Sequence, residues 1–159
     1  MEIKNFTPRL YQETILNSCS KKNTLVVLPT GLGKTKVAIL TTIKRLTEFP
    51  DSKALFLTPT KPLASQIQRE FQECTDVKAE DIILCTGAVN PEKREANLKN
   101  AKIVISTPQT ISNDVVNGRI NLEEYSLLVL DEAHRCMKDY AYTWLCKTYN
   151  KKAKNPRII

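Results

Sequence analysis

Five short apolar runs recur along the chain, and polar segments separate them. Within each run the apolar residues are continuous rather than alternating, which is typical of strands that are covered on both faces of a sheet. We therefore predict five buried strands. The runs occupy residues 25–28, 54–57, 82–85, 103–105 and 127–130.

The segments between the runs carry apolar residues at steps of three and four, which places them on one face of a helix. Strand and helix patterns therefore alternate, and this alternation predicts βαβ units, an α/β fold and a mostly parallel central sheet. The apolar stripes are Ile39, Ile43 and Leu46, and Leu63, Ile67 and Phe71.

The length of 159 residues suits one domain over residues 1–159, and a domain of that size buries roughly 68–70% of its unfolded surface. Hydrophobic residues make up 42% of the chain, so a sizeable core is possible. Pro156 is followed by the apolar pair Ile158 and Ile159 after one intervening residue. This ending is typical of the start of a further strand, and we expect the chain to be a fragment of a longer protein.

The formal net charge of +7 is concentrated at one end of the chain, because residues 147–159 contain five basic residues and no acidic ones. A basic tail of this kind is more often a solvated segment than a nucleic-acid site. The five cysteines form no C-x-x-C pair, which favours free thiols in a reducing cytosol over a disulfide or zinc framework. No apolar stretch approaches a membrane span, and we expect a soluble, cytoplasmic protein without a membrane partner.

Two glycines lie together after the first apolar run, in the segment Gly31-Leu32-Gly33-Lys34-Thr35. Glycines allow successive backbone N–H groups to face an anion, and a helix N-terminus adds partial positive charge. Lys34 would reach the nucleotide phosphates, and the Thr35 hydroxyl would bind Mg²⁺. The strict P-loop pattern has glycine where Leu28 stands, so a glycine turn that happens to precede Lys-Thr is the alternative.

The segment Asp131-Glu132-Ala133-His134 directly follows the last apolar run. A carboxylate at the end of a buried parallel strand lies at the sheet edge where α/β proteins bind ligands. Asp131 can hold Mg²⁺, and Glu132 can orient or deprotonate a water molecule. The alternative is an ordinary helix N-terminus with Asp131 as its cap, but that alternative does not explain why both motifs occur in one domain.

These segments resemble helicase superfamily 2. Residues 29–35 are similar to its motif I, residues 131–134 to its DEAH-type motif II, and residues 9–12 to its adenine-reading motif, in which Gln12 would pair with adenine. The resemblance covers nearly the whole chain and implies a three-layer RecA-like P-loop NTPase domain that binds ATP and Mg²⁺. It assigns catalytic roles to Lys34, Asp131 and Glu132, metal contacts to Thr35 and Asp131, and nucleotide contacts to Arg9, Gln12, Thr30, Gly31, Leu32, Gly33, Lys34 and Thr35.

Three further segments resemble the motifs of this superfamily that follow a nucleic-acid strand. They suggest Thr60, Lys61, Gly87 and Thr107 as contacts, although Thr-Pro before a helix is also an ordinary N-cap. His134 would couple the two sites or make a local hydrogen bond. The sequences of residues 59–63 and 135–142 are most similar to the archaeal Hef and Fanconi-anaemia M group, which implies an ATP-dependent DNA helicase or translocase that acts on forked or branched DNA.

The resemblance leaves alternatives open. DNA is favoured over RNA as the partner, but helicases of the Dicer and RNA-sensor type are close rivals. A P-loop kinase without a strand partner and a nucleotide-binding module without turnover are the other possibilities. In this superfamily ATP is cleaved between two RecA-like domains, so the resemblance implies a second RecA-like domain beyond Ile159.

Overall fold

The computed structural model describes residues 1–137 and 140–159. Over this part of the chain, helices alternate with strands, as the apolar pattern predicts. The helices are α1 (Leu10–Lys21), α2 (Lys34–Glu48), α3 (Lys61–Cys74), α4 (Pro91–Asn100), α5 (Pro108–Val116) and α6 (Tyr140–Lys152), and the strands are β1 (Lys53–Leu57), β2 (Ile82–Cys85), β3 (Ile103–Ser106) and β4 (Tyr125–Leu130). Short 3₁₀ turns cover Ala79–Asp81, Leu122–Glu124 and Ala133–Met137.

The four strands form one parallel sheet in the order β2-β3-β1-β4. Successive residues of β1 face opposite sides of this sheet. Phe56 points to a core built with α2 and α3, where it meets Phe71 edge to face at 5.1 Å between ring centroids. Leu55 and Leu57 point to a second core built with α5 and α6. The three-layer α/β fold with a parallel sheet is thereby confirmed.

The prediction of a buried strand at residues 25–28 is wrong. Leu25 is 74% exposed and Val27 is 81% exposed, and the run forms no strand. The chain beside it is residues 157–159, which pairs with β4 instead through a parallel bridge between Ile158 and Leu128. Among the described residues, one backbone hydrogen bond joins that segment to the residue just before the run, from the Thr24 N–H to the Ile158 carbonyl at 3.1 Å. The same bridge agrees with the predicted start of a strand after Pro156.

The carboxyl ends of all four strands lie at one edge of the sheet because every strand runs in the same direction. In spatial order, β2 leads into Gly87, β3 into Thr107, β1 into Thr58 and Thr60, and β4 into Asp131. In parallel α/β sheets this edge is where ligands bind. The fold therefore collects the candidate residues from four separate parts of the chain.

A candidate nucleotide and nucleic-acid site

The segment 31–35, which we call the phosphate loop, has a backbone that its two glycines allow. Gly31 and Gly33 adopt φ values of +84° and +74°, a conformation that side chains with a Cβ rarely tolerate. Helix α2 then begins at Lys34, and its first backbone hydrogen bond runs from the Val37 N–H to the Gly33 carbonyl at 3.2 Å. The N–H groups of residues 34–36 precede that bond, so they have no acceptor within the helix and can receive an anion.

The side chain of Lys34 reaches back across this loop. Its ammonium group donates to the Leu28 carbonyl at 3.3 Å and remains exposed to solvent. Lys34 and Thr35 line the same side of a cavity that opens beside the end of β4. The ammonium group is thereby held near the mouth of the phosphate loop with its charge available to a ligand.

Helix α1 packs its first turn against the phosphate loop. The Tyr11 hydroxyl donates to the Leu32 carbonyl at 2.8 Å, and the buried Gln12 side chain lies directly against Gly33. A Cβ atom at Gly33 would come within 2.8 Å of Gln12 Nε2. The side-chain oxygen of Gln12, Oε1, accepts from the Arg9 backbone N–H at 2.9 Å. The structure thus joins the suggested adenine-reading segment to the loop, while the Arg9 side chain is exposed.

Asp131 follows β4 and is fixed in place by contacts with the end of the neighbouring strand β1. Its N–H donates to the Leu57 carbonyl at 2.8 Å, and its Oδ2 accepts from the buried Thr58 hydroxyl at 3.2 Å. Burial raises the pKa of the Asp131 carboxyl above its usual range, while the Thr58 hydrogen bond and the Lys34 charge oppose that rise. A partly buried carboxylate at the end of a parallel strand suits a divalent cation.

Glu132 has an unusual backbone for a residue with a side chain. Its φ of +57° lies in the left-handed region, where residues other than glycine are strained and often functional. Its carboxylate lies 3.4 Å from His134 Nδ1, and the His134 side chain is 72% exposed. This contact fits the local role considered for His134, and the coupling role stays a prediction. Positions 138 and 139 of the stretch 135–142 lie outside the described residues.

A cavity of about 530 Å³ brings the two acidic residues and the phosphate loop together. Its polar end has Lys34, Thr35, Asp131, Glu132 and His134, and its apolar part lies between residues 25–28 and β4. The polar end has the chemistry that phosphate and Mg²⁺ require. Among the described residues, no group of three or more His, Cys, Asp or Glu side chains is arranged to hold a metal ion.

The other strand ends form a second group of polar residues. Gly87 faces the Thr110 hydroxyl, which lies 3.7 Å from the position of a Cβ on Gly87. Thr107 and Thr110 share a hydrogen bond of 3.1 Å between their hydroxyl groups. The structure therefore brings Gly87 and Thr107 together. Thr60 caps α3 by accepting from the Leu63 N–H at 3.5 Å, which agrees with the N-cap alternative, and Lys61 beside it is exposed.

Sequence reasoning missed three groups that shape these sites. Thr58 holds the Asp131 carboxylate, Tyr11 holds the phosphate loop, and a buried Arg94–Asp114 pair holds the loop that contains Gly87. Tyr11 lies inside the adenine-reading segment 9–12 and Thr58 lies two residues before Thr60, so their place in these segments was the available signal. Nothing in the sequence marks Arg94 and Asp114 as partners.

The sequence of this chain is similar to those of known helicases. The family model described as DEAD/DEAH box helicase matches residues 9–159. A putative ATP-dependent RNA helicase of Methanocaldococcus jannaschii is 43% identical over 94% of this chain, and the DEAD-box ATP-dependent DNA helicase Fancm of Drosophila melanogaster is 38% identical over 87%. The chain spans only 19% and 10% of the lengths of these two relatives.

A crystal structure of the Hef helicase domain of Pyrococcus furiosus has a similar fold. It shares 46% sequence identity over 96% of this chain and superposes with a TM-score of 0.92. This chain covers 32% of the length of that structure. In the described part of the chain, no helix has the length and apolarity required to cross a membrane.

Proposed function

The chain belongs to the DEAD/DEAH box helicase family, and on that premise we propose that it is the ATP-binding motor domain of an ATP-dependent DNA helicase or translocase that acts on forked or branched DNA. The observation that supports this most directly is the cavity in which Lys34, Thr35, Asp131 and Glu132 meet. Similarity to Hef and to Fancm, whose name states that it is a DNA helicase, supports DNA as the partner.

We propose a distinct role for each residue at the polar end of the cavity. Lys34 and the free N–H groups at the start of α2 bind the phosphates. Thr35 and Asp131 supply hard oxygen ligands, which fit Mg²⁺. Bound Mg²⁺ would supply charge neutralisation for the phosphate oxygens. Glu132 orients the attacking water and accepts its proton.

Gln12 and Arg9 are our proposed contacts for the adenine base. The close packing of Gln12 on Gly33 supports this proposal, because a base held by α1 would lie next to the phosphate loop. The amide of Gln12 has both a donor and an acceptor, which suits the edge of adenine that carries N6 and N7. The proposed loop contacts to the nucleotide are Thr30, Gly31, Leu32 and Gly33.

The nucleic-acid strand is proposed to cross the edge of the sheet beside the nucleotide. Hydroxyl and backbone N–H groups at strand ends and helix starts bind phosphates without reading the base sequence. Thr60, Lys61, Gly87 and Thr107 lie at the ends of three neighbouring strands and are the proposed contacts. His134, which contacts Glu132, would transmit the state of the nucleotide to the strand.

The complete protein is proposed to contain a second RecA-like domain. In P-loop enzymes, an arginine supplied by another domain or protein raises the rate of nucleotide cleavage by a factor of roughly 10³–10⁵. We therefore expect this chain alone to bind ATP and to hydrolyse it weakly. Robust DNA-stimulated turnover by residues 1–159 alone would contradict this expectation.

The function is tested by steady-state ATPase measurements on the complete protein with forked DNA, single-stranded DNA and duplex RNA. We expect forked DNA to stimulate turnover most strongly, and Glu132→Gln to abolish turnover while Mg-ATP binding persists. Stimulation by RNA alone would favour an RNA helicase, for which the name of the Methanocaldococcus jannaschii relative provides the supporting observation. Turnover that no nucleic acid changes would contradict a helicase function and favour another P-loop enzyme.

A further inference from the structure

A buried ion pair lies behind the loop that contains Gly87. The guanidinium group of Arg94 in α4 donates to both carboxylate oxygens of Asp114 in α5, at 2.6 Å and 2.7 Å. Arg94 is 6% exposed and Asp114 is fully buried. This paired geometry joins the two helices that follow β2 and β3.

The outer edge of the same guanidinium group holds the β2–α4 loop. Its Nη1 donates to the Val89 carbonyl at 2.7 Å and to the Thr86 carbonyl at 3.3 Å. Gly87 lies between these two carbonyl groups, and the Val89 N–H donates back to Thr86 at 3.2 Å. One side chain therefore fixes both ends of the turn that contains Gly87.

Asp114 connects this turn to α5. That helix begins at Pro108, immediately after Thr107, and its first turn has Thr110, whose hydroxyl faces Gly87. Arg94 thus fixes the position of Gly87 relative to two threonine hydroxyl groups at the start of α5. Those groups and the N–H groups of the turn are donors of the kind that bind phosphate.

The chemistry of this link requires arginine. A guanidinium group has five N–H donors in a planar fork, so it can bind a carboxylate with two bonds and still donate to carbonyl groups. A lysine ammonium group lacks that geometry. Asp114 also faces the Cys85 thiol at 3.9 Å and the partly exposed Arg119 at 3.4 Å, but no hydrogen bond links Arg119 to the described residues of the turn. Because a buried ion pair is weak evidence for stability alone, a role in orientation is the better explanation.

We propose that Arg94 is a positioning residue for nucleic-acid binding, which holds the Gly87 turn and the Thr107–Thr110 hydroxyl pair as one phosphate-binding unit. The inference rests on the proposed function, because it names what orients part of that strand-binding edge. Arg94 itself is buried, so it acts through the turn rather than by touching the strand.

The test compares Arg94→Lys with Arg119→Lys. Arg119 also contacts Asp114, but it makes no hydrogen bond to the described residues of the turn, so Arg119→Lys is the matched control. Binding of a labelled single-stranded DNA is titrated at low and moderate salt, and binding of a fluorescent Mg-ATP analogue is titrated in parallel. We expect Arg94→Lys to weaken DNA binding about tenfold, as for the loss of one hydrogen bond to a charged group. We expect the control and all nucleotide affinities to stay within about twofold of the unsubstituted chain.

Hydrogen exchange supplies two readouts that separate local loosening of the turn from a loss of global stability. Exchange at residues 86–90 should quicken in Arg94→Lys while exchange in α3 stays constant. In the unsubstituted chain, saturating DNA should slow exchange at residues 86–90 and 107–110 together. This second measurement needs no variant, so protection of only one segment would overturn the proposal even if Arg94→Lys fails to fold.

Three results would overturn the proposal. DNA affinity could survive in folded Arg94→Lys, DNA and nucleotide affinity could fall together with thermal stability, or DNA could protect only one of the two segments. If the unsubstituted chain bound no DNA at low salt, the proposed function would fail together with this inference. If that chain bound DNA and Arg94→Lys bound it equally well, only the inference about Arg94 would fail.

Discussion

The contact between Gln12 and Gly33 predicts a penalty for a single methyl group, because the buried Gln12 amide would have to move although its Oε1 accepts from the Arg9 N–H. In Gly33→Ala the new Cβ would lie 2.8 Å from Gln12 Nε2, and the backbone would keep a φ of +74°. A left-handed conformation costs a residue with a Cβ about 1–2 kcal/mol, and an overpacked contact adds about 1–3 kcal/mol. The sum is about 2–5 kcal/mol, and 1 kcal/mol lowers the Tm of a domain of this size by roughly 2–4 °C.

Gly118→Ala is the matched control because Gly118 has a φ of +72° and no atom within 4 Å of its Cβ position. It isolates the backbone penalty, so its loss should be about 1–2 kcal/mol. Thermal denaturation followed by circular dichroism, without nucleotide, measures both variants. Equal losses of Tm in the two variants would refute the close packing of α1 on the phosphate loop. Gly31→Ala, which has no neighbour within 4 Å, should behave like Gly118→Ala.

Three further predictions concern the acidic motif at residues 131–134 and the exposed apolar run at residues 25–28. Thr58→Val should weaken Mg-nucleotide binding about tenfold, because a hydrogen bond to a charged group contributes about 1.5–3 kcal/mol. Thr58→Ser keeps the hydroxyl group and should bind normally. A fluorescence titration that finds equal affinities for the two variants would count against this role of the Thr58 hydroxyl. Burial raises the pKa of Asp131, so its ionisation opposes folding as pH rises through that raised pKa. Asp131→Asn should therefore have a higher Tm than the unsubstituted chain at about pH 7 without Mg²⁺, and the difference should vanish below about pH 4; a lower Tm at neutral pH would contradict this. Val27 is 81% exposed, so Val27→Thr should change the free energy of unfolding by no more than about 0.5 kcal/mol. Val129 is 5% exposed, so Val129→Thr should lower it by about 1–3 kcal/mol. Equal losses of Tm in the two variants would show that residues 25–28 form a covered strand.

Much of the fold could be predicted because buried parallel strands have a simple signature. The runs at residues 54–57, 82–85, 103–105 and 127–130 match β1 to β4 to within two residues at each end. The strand-end rule then places Asp131 and Gly87 at one edge of the sheet. The run at residues 25–28 has the same apolar signature, but a strand also needs a neighbour along its length, and a sequence does not show which segment lies beside it.

The parts of the site that sequence reasoning missed depend on contacts between distant residues. The Thr58–Asp131 hydrogen bond exists because β1 pairs with β4 in the register that sets Leu57 opposite Leu130. The Arg94–Asp114 pair joins two helices across 20 positions, without any motif around either residue. The left-handed backbone of Glu132 likewise follows from how the chain leaves β4. Such features follow from the strand register and the paths of the connecting loops, which apolar patterning does not specify.

The most direct test of the central claim is a titration of this chain with a fluorescent Mg-ATP analogue, comparing the unsubstituted protein with Lys34→Ala and Glu132→Gln. The proposed site predicts that Lys34→Ala abolishes binding or nearly does so, because the ammonium group is the main positive charge on the phosphate loop. It predicts unchanged affinity for Glu132→Gln, whose role begins only at hydrolysis. Nucleotide affinity that survives in Lys34→Ala would contradict the assignment of residues 31–35 as the phosphate-binding loop.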